Sequence, residues 1–74
     1  MKRYMLVRHK EHYVPEVINK IYNEFELNAR YSNTKILNEF GVNTLKVDEE
    51  VCFDYDYYIE LTIKRIEWKI IEQY

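Results

Sequence analysis

From Val51 to Ile63 the odd-numbered residues Val51, Phe53, Tyr55, Tyr57, Ile59, Leu61 and Ile63 are all apolar or aromatic, while Asp54, Asp56, Glu60, Thr62 and Lys64 alternate with them. A period of two sends the first set to one side of an extended chain and the second to the other, which a helix cannot do. The second half of the chain therefore reads as antiparallel sheet. Thirteen residues exceed the usual five or six of one strand, so a turn is expected near Asp54, Tyr55 and Asp56, with residues 44–47 as a further short strand. Beyond Lys64 and Arg65 the apolar phase moves to Ile66, Trp68 and Ile70, which implies a bulge or a second turn. A helical stripe of Ile59, Ile63, Ile66, Ile70 and Tyr74 competes over residues 57–74, but the wealth of Ile, Tyr, Thr and Trp favours strand.

In the first half, residues 3–9 read as a strand, with Tyr4 and Leu6 on one side and Met5 and Val7 on the other. Apolar residues on both sides place it centrally in a sheet. Pro15 suits a first helical turn, and Val14, Val17, Ile18, Ile21 and Phe25 recur at steps of three and four. Glu16 and Lys20 add a favourable i,i+4 pair, so an amphipathic helix is expected over residues 15–27. Ser32 or Asn33 would cap a second, short helix through Phe40, stopped by a left-handed Gly41.

These elements must share one small core. The chain has 74 residues, of which Ile, Val, Leu and Phe supply 22, enough for a globular domain and too few for a large catalytic cleft or barrel. The expected fold is a single α+β domain over residues 1–74: an N-terminal strand, an amphipathic helix plus a short helix, and C-terminal antiparallel strands. A winged-helix-like arrangement is the alternative. No apolar run approaches a membrane span, the apolar stretch near the N-terminus ends at Arg8, and the single Cys52 allows no internal disulfide. A reducing cytoplasmic setting is expected, the host cytosol if the chain is viral, a source its low Ala and Gly content suggests.

The net charge of −2 conceals an asymmetry, since residues 1–37 carry +3 and residues 38–74 carry −5. Asp48, Glu49, Glu50, Asp54, Asp56 and Glu60 lie in one tract without Lys or Arg, interleaved with Tyr55, Tyr57 and Tyr58. Lys2, Arg3, Arg8 and Lys10 crowd the first ten residues without an acid. Such runs are commonly solvated faces that complement one another in the fold or in a dimer; the alternative is a surface for a partner.

Two short stretches resemble known signatures. Leu6-Val7-Arg8-His9 followed by Lys10-Glu11 resembles the strand end of the histidine phosphatase and phosphoglycerate mutase family, in which Arg-His is followed by Gly. Lys10 occupies that position here, and the resemblance covers six residues, so the activity is not carried over. Residues 36–47 resemble the core of a helix-turn-helix through Gly41, Val42, Asn43 and Val47, with Leu37 where a small residue is usual. A recognition helix there would run into Asp48, Glu49 and Glu50, which phosphates repel. His9, Glu11 and His12 lack further ligands for a metal, Cys52 sits among acids that disfavour a thiolate, and Gly41 is the sole glycine, so no phosphate-cradling loop exists.

Neither enzymatic activity nor a cofactor is expected. The sequence reads as a protein-binding module whose acidic, tyrosine-rich face of Asp48, Glu49, Glu50, Asp54, Asp56, Tyr58 and Glu60 meets a basic host protein, for example a nucleic-acid-binding enzyme. In character this is similar to DNA-mimic and anti-CRISPR inhibitors. The other readings are a small helix-turn-helix regulator binding nucleic acid through Lys2, Arg3, Arg8, Lys10, Lys20 and Arg30, and a structural homo-oligomer. A homodimer through a sheet edge or the Trp68 stripe is expected to help so small a core.

Overall fold

The alternation after Val51 is a two-stranded hairpin, part of one four-stranded sheet. In the computed structural model, which describes residues 2–31 and 35–67, the order is β1 (Arg3–Glu11), β2 (Val14–Asn23), α1 (Glu24–Tyr31), α2 (Lys35–Asn38), a 3-10 turn at Val42–Thr44, β3 (Glu50–Asp56) and β4 (Ile59–Ile66). All pairings are antiparallel and the spatial order is β2-β1-β4-β3, so the N-terminal strand is central as expected. The domain is α+β. Tyr4, Leu6, Tyr22, Leu61 and Ile63 from the strands join Leu27, Ile36 and Val42 from the helical segments in the buried core. Stacked Phe40 and Phe53, with ring centres 4.4 Å apart, extend this layer toward β3.

The helix expected over residues 15–27 is instead mostly strand. Val14 and Val17 are 67% and 70% exposed, so the supposed apolar stripe does not face the core. The pattern arose from a bulge: Leu6 and Arg8 of β1 pair with Lys20 and Val17 of β2, and Asn19 is left-handed with φ 51°. One extra residue in a period of two produces a step of three, which imitates a helix. The helix begins only at Glu24, where Asn23 and Glu26 form a reciprocal cap: the Glu26 N–H donates to Asn23 Oδ1 at 2.8 Å and the Asn23 N–H to Glu26 Oε1 at 2.9 Å.

Other boundaries also move. The second helix ends at Asn38 rather than Phe40, while Gly41 is left-handed (φ 75°), the conformation it was expected to supply; Ser32 and Asn33 lie outside the described residues. Residues 44–47 form no strand, and the segment after Gly41 is one 3-10 turn, so the second helix of a helix-turn-helix is missing. The β3–β4 turn falls at Tyr57 and Tyr58, because a register shift between Asp54 and Asp56 absorbs Tyr55 and carries β3 two residues further than expected. No bulge occurs at Lys64 and Arg65: the ladder with β1 runs in register from Leu6↔Ile63 to Arg3↔Ile66, which puts Ile66 on the face opposite the core and excludes the helical reading over 59–66. Trp68, Ile70 and Tyr74 lie outside the described residues.

Tyr4 is fully buried on the central strand, and its hydroxyl has no hydrogen-bond partner among the described residues. Burial, with Glu24 nearby, raises its pKa against the opposing influence of Arg65. Removing an unsatisfied buried hydroxyl relieves a desolvation penalty. Tyr4→Phe should therefore leave stability unchanged or raise it by about 1 kcal/mol in urea denaturation; a loss of that size would show that the hydroxyl is bonded in solution.

Candidate partner-binding face

Antiparallel register fixes what the face opposite the core displays. Directly paired residues point the same way, giving three rows across β3, β4, β1 and β2: Glu50, Lys64, Met5, Ile21; then Cys52, Thr62, Arg8, Val17; then Asp54, Glu60, Lys10, Pro15. Arg8 and Lys10 of the basic N-terminal cluster thus share one surface with Glu50, Asp54 and Glu60 of the acidic tract, which is distant in the chain. Arg8 Nη2 lies 3.4 Å from Glu60 Oε1, and Lys10 is the cross-strand neighbour of the same glutamate. Both partners of the Arg8 pair are partly exposed, so the pair contributes at most about 1 kcal/mol. Part of the tract is therefore complemented within the fold.

The seven residues of the expected face do not form a single patch. Glu49 is engaged in the turn before β3, where its carboxylate accepts the Lys46 N–H at 2.7 Å and its carbonyl accepts the Arg65 N–H at 2.9 Å. Asp48, left-handed at φ 71°, donates its N–H to the Arg65 carbonyl. Asp56 accepts the Tyr57 N–H at 2.7 Å and shapes the β3–β4 turn. Asp48 and Glu49 thus sit at one end of β3 and Tyr58 at the other, about 20 Å apart at the usual rise of a strand. Glu50 and Asp54 lie between them on edge strand β3, exposed and outside any ion pair among the described residues.

The turn end carries residues that sequence reasoning missed. The β1–β2 turn is His12 and Tyr13, both left-handed at φ 51° and 67°, the backbone of a two-residue type I′ hairpin usually built from Asn-Gly. The His12 N–H donates to the Tyr58 carbonyl at 2.9 Å and its ring stacks on Tyr58 at 4.6 Å, with Tyr57 edge-on to Tyr58 at 4.5 Å. Tyr13 and Tyr57 are 84% and 86% exposed, so they are not there to fill a core. The only sequence signal was a dense run of Tyr and His at two places whose adjacency is a product of the fold.

Behind this end, the His9 ring links Tyr31 and Glu11, with Nδ1 3.1 Å from the Tyr31 hydroxyl and Nε2 3.0 Å from Glu11 Oε1. Arg30 Nε donates to the same hydroxyl at 3.3 Å. Burial raises the Tyr31 pKa more than Arg30 lowers it, so the phenol stays protonated and, through His9, ties α1 to β1. Among the described residues no group of His, Cys, Asp and Glu is placed to hold a metal ion, and no helix is long and apolar enough to cross a membrane.

Comparison with protein-family models, curated proteins and solved structures returns no significant match.

Proposed function

We propose that this protein is a non-enzymatic protein-binding module that receives a basic segment of its partner along β3 and the adjoining hairpin turns. The observation that carries this reading is an edge strand whose outward Glu50 and Asp54 form no ion pair among the described residues, although Lys64 is the cross-strand neighbour of Glu50, next to four exposed or half-exposed aromatic rings. Unpaired strand edges accept an added strand through backbone hydrogen bonds, and side-chain charge then selects what is added. The acidic strip of Glu50 and Asp54 widens onto β4 only at Glu60, and it is bordered by Lys64 on β4 and, one strand further, by Arg8 and Lys10 on β1, which favours an extended basic segment over the wide groove that a DNA mimic would occupy.

Nucleic-acid binding through the basic residues has weaker support, because several of them serve the fold. Lys2 Nζ donates to the Asn43 carbonyl at 2.7 Å, Arg8 pairs with Glu60, and Arg30 donates to the hydroxyls of Tyr22 and Tyr31. Self-pairing through β2, the other edge, is opposed by Pro15, which lacks an N–H, and by the bulge at Asn19.

Fluorescence anisotropy with labelled peptides of alternating Arg and Val tests the proposal. Binding should weaken steeply with salt, and Glu50→Lys with Asp54→Lys should lower affinity on the order of tenfold while the melting curve stays nearly unchanged. Equal affinity for a charge-neutral peptide of the same pattern would refute the reading.

A further inference from the structure

We propose that the cleft between the two hairpin turns is a socket for an arginine side chain of the basic partner. The inference rests on the protein-binding reading and names the group recognised at its aromatic end. The cleft is half open, has a volume of about 90 Å³ and is lined by the rings of His12, Tyr13, Tyr57 and Tyr58 together with Asp54 and Glu60. Pockets for whole metabolites usually run from about 300 Å³ upward, so this one fits the end of a side chain.

Its chemistry selects a cation twice over. Aromatic faces carry negative quadrupole density and attract a cation within about 6 Å of the ring centre. Asp54 and Glu60, moreover, are direct cross-strand partners. Like charges in that relation repel, with Cβ atoms about 4.5–5.5 Å apart. Arg8 reaches only Glu60, at 3.4 Å, which leaves Asp54 beside a like charge at the sheet edge. A cation bridging the two carboxylates removes that repulsion.

Guanidinium suits this arrangement better than ammonium. Its planar fork donates to two neighbouring carboxylates at once, and its flat face stacks on tyrosine, whereas an ammonium is a compact and strongly hydrated charge. Lys10 also lines the cleft, opposite Glu60, and is the cation with which an incoming arginine competes. It gives the socket a distinctive property: removing a positive charge from it, without touching an aromatic ring or a carboxylate, should improve cation binding.

The test is an NMR titration of the full chain with acetyl-Gly-Arg-Gly-amide, using the citrulline peptide as a neutral isostere. The arginine peptide should shift the ring resonances of Tyr13, Tyr57 and Tyr58 saturably, with affinity on the order of tenfold above citrulline, as expected when a charge-assisted hydrogen bond is lost. Lys10→Met should tighten binding about threefold or more, and Tyr57→Leu, at a solvent-exposed position, should weaken it several-fold without changing the melting curve. Equal shifts with both peptides, or weaker binding to Lys10→Met, would overturn the socket. If alternating Arg and Val peptides still bind β3 in that case, the protein-binding reading stands without it; if they also fail to bind, the broader reading falls first.

Discussion

Replacing Leu6 by alanine should remove a third or more of the stability of this protein. Leu6 is fully buried on the central strand, between Lys20 of β2 and Ile63 of β4, and it faces the core layer that includes Leu27, Ile36 and Val42. Deleting a buried leucine side chain costs about 2–5 kcal/mol, from lost transfer energy and from the cavity left behind. The upper end of that range applies where neighbours cannot collapse, and a strand held by ladders on both sides has little freedom to move. Domain stabilities scale as about 0.05–0.15 kcal/mol per residue, so a chain of this length has only about 4–11 kcal/mol to lose. Urea denaturation should show a midpoint reduced by a third or more with an unchanged slope. The paired control is Val17→Ala on the exposed face of β2, expected to stay within about 0.5 kcal/mol of the native chain.

Converting the β1–β2 turn to the sequence its backbone favours should stabilise the fold and abolish the aromatic socket. His12 and Tyr13 both sit at positive φ, which costs a bulky residue about 1–2 kcal/mol each. His12→Asn with Tyr13→Gly relieves that strain. Two effects oppose the gain: glycine adds unfolded-state entropy worth about 0.5–1 kcal/mol, and loss of the His12–Tyr58 stack costs about as much again. Strain relief wins by about 1 kcal/mol, which in a domain of this size raises Tm by roughly 4–8 °C. Affinity for the arginine peptide should meanwhile fall on the order of tenfold. A lower Tm would show that the turn residues are retained for packing, and unchanged affinity would separate the turn from binding.

The sequence was legible where one rule acted over a continuous stretch. Apolar residues on both sides of residues 3–9 located the central strand, the alternation after Val51 located β3 and β4, and the lone glycine marked the left-handed position after α2. It was illegible where a local irregularity imitated another period or where distant segments had to meet. The bulge at Asn19 made a strand look helical, and the Asn23–Glu26 cap that starts α1 was hidden inside that false helix. His12 and Tyr13 gave no turn signal, because hairpins of this type ordinarily carry Asn and Gly.

The candidate face shows the same division. Its acids were visible as a tract, and their partial neutralisation by Arg8 and Lys10 was foreseeable only as a general possibility of complementary halves. Which acids are complemented depends on β1 lying beside β4, a pairing between chain segments some fifty residues apart. The meeting of the two turns depends on the same adjacency, so the aromatic end had no local sequence signature.

Backbone amide mapping of the peptide-bound protein tests the central claim most directly. With an alternating Arg and Val peptide added to saturation, the largest shift changes are predicted along β3 from Glu50 to Asp56 and at the two turns, residues 12–13 and 57–58, with β2 beyond its turn and α1 nearly unaffected. Shifts concentrated on β2 or α1, with β3 and the turns silent, would contradict the account.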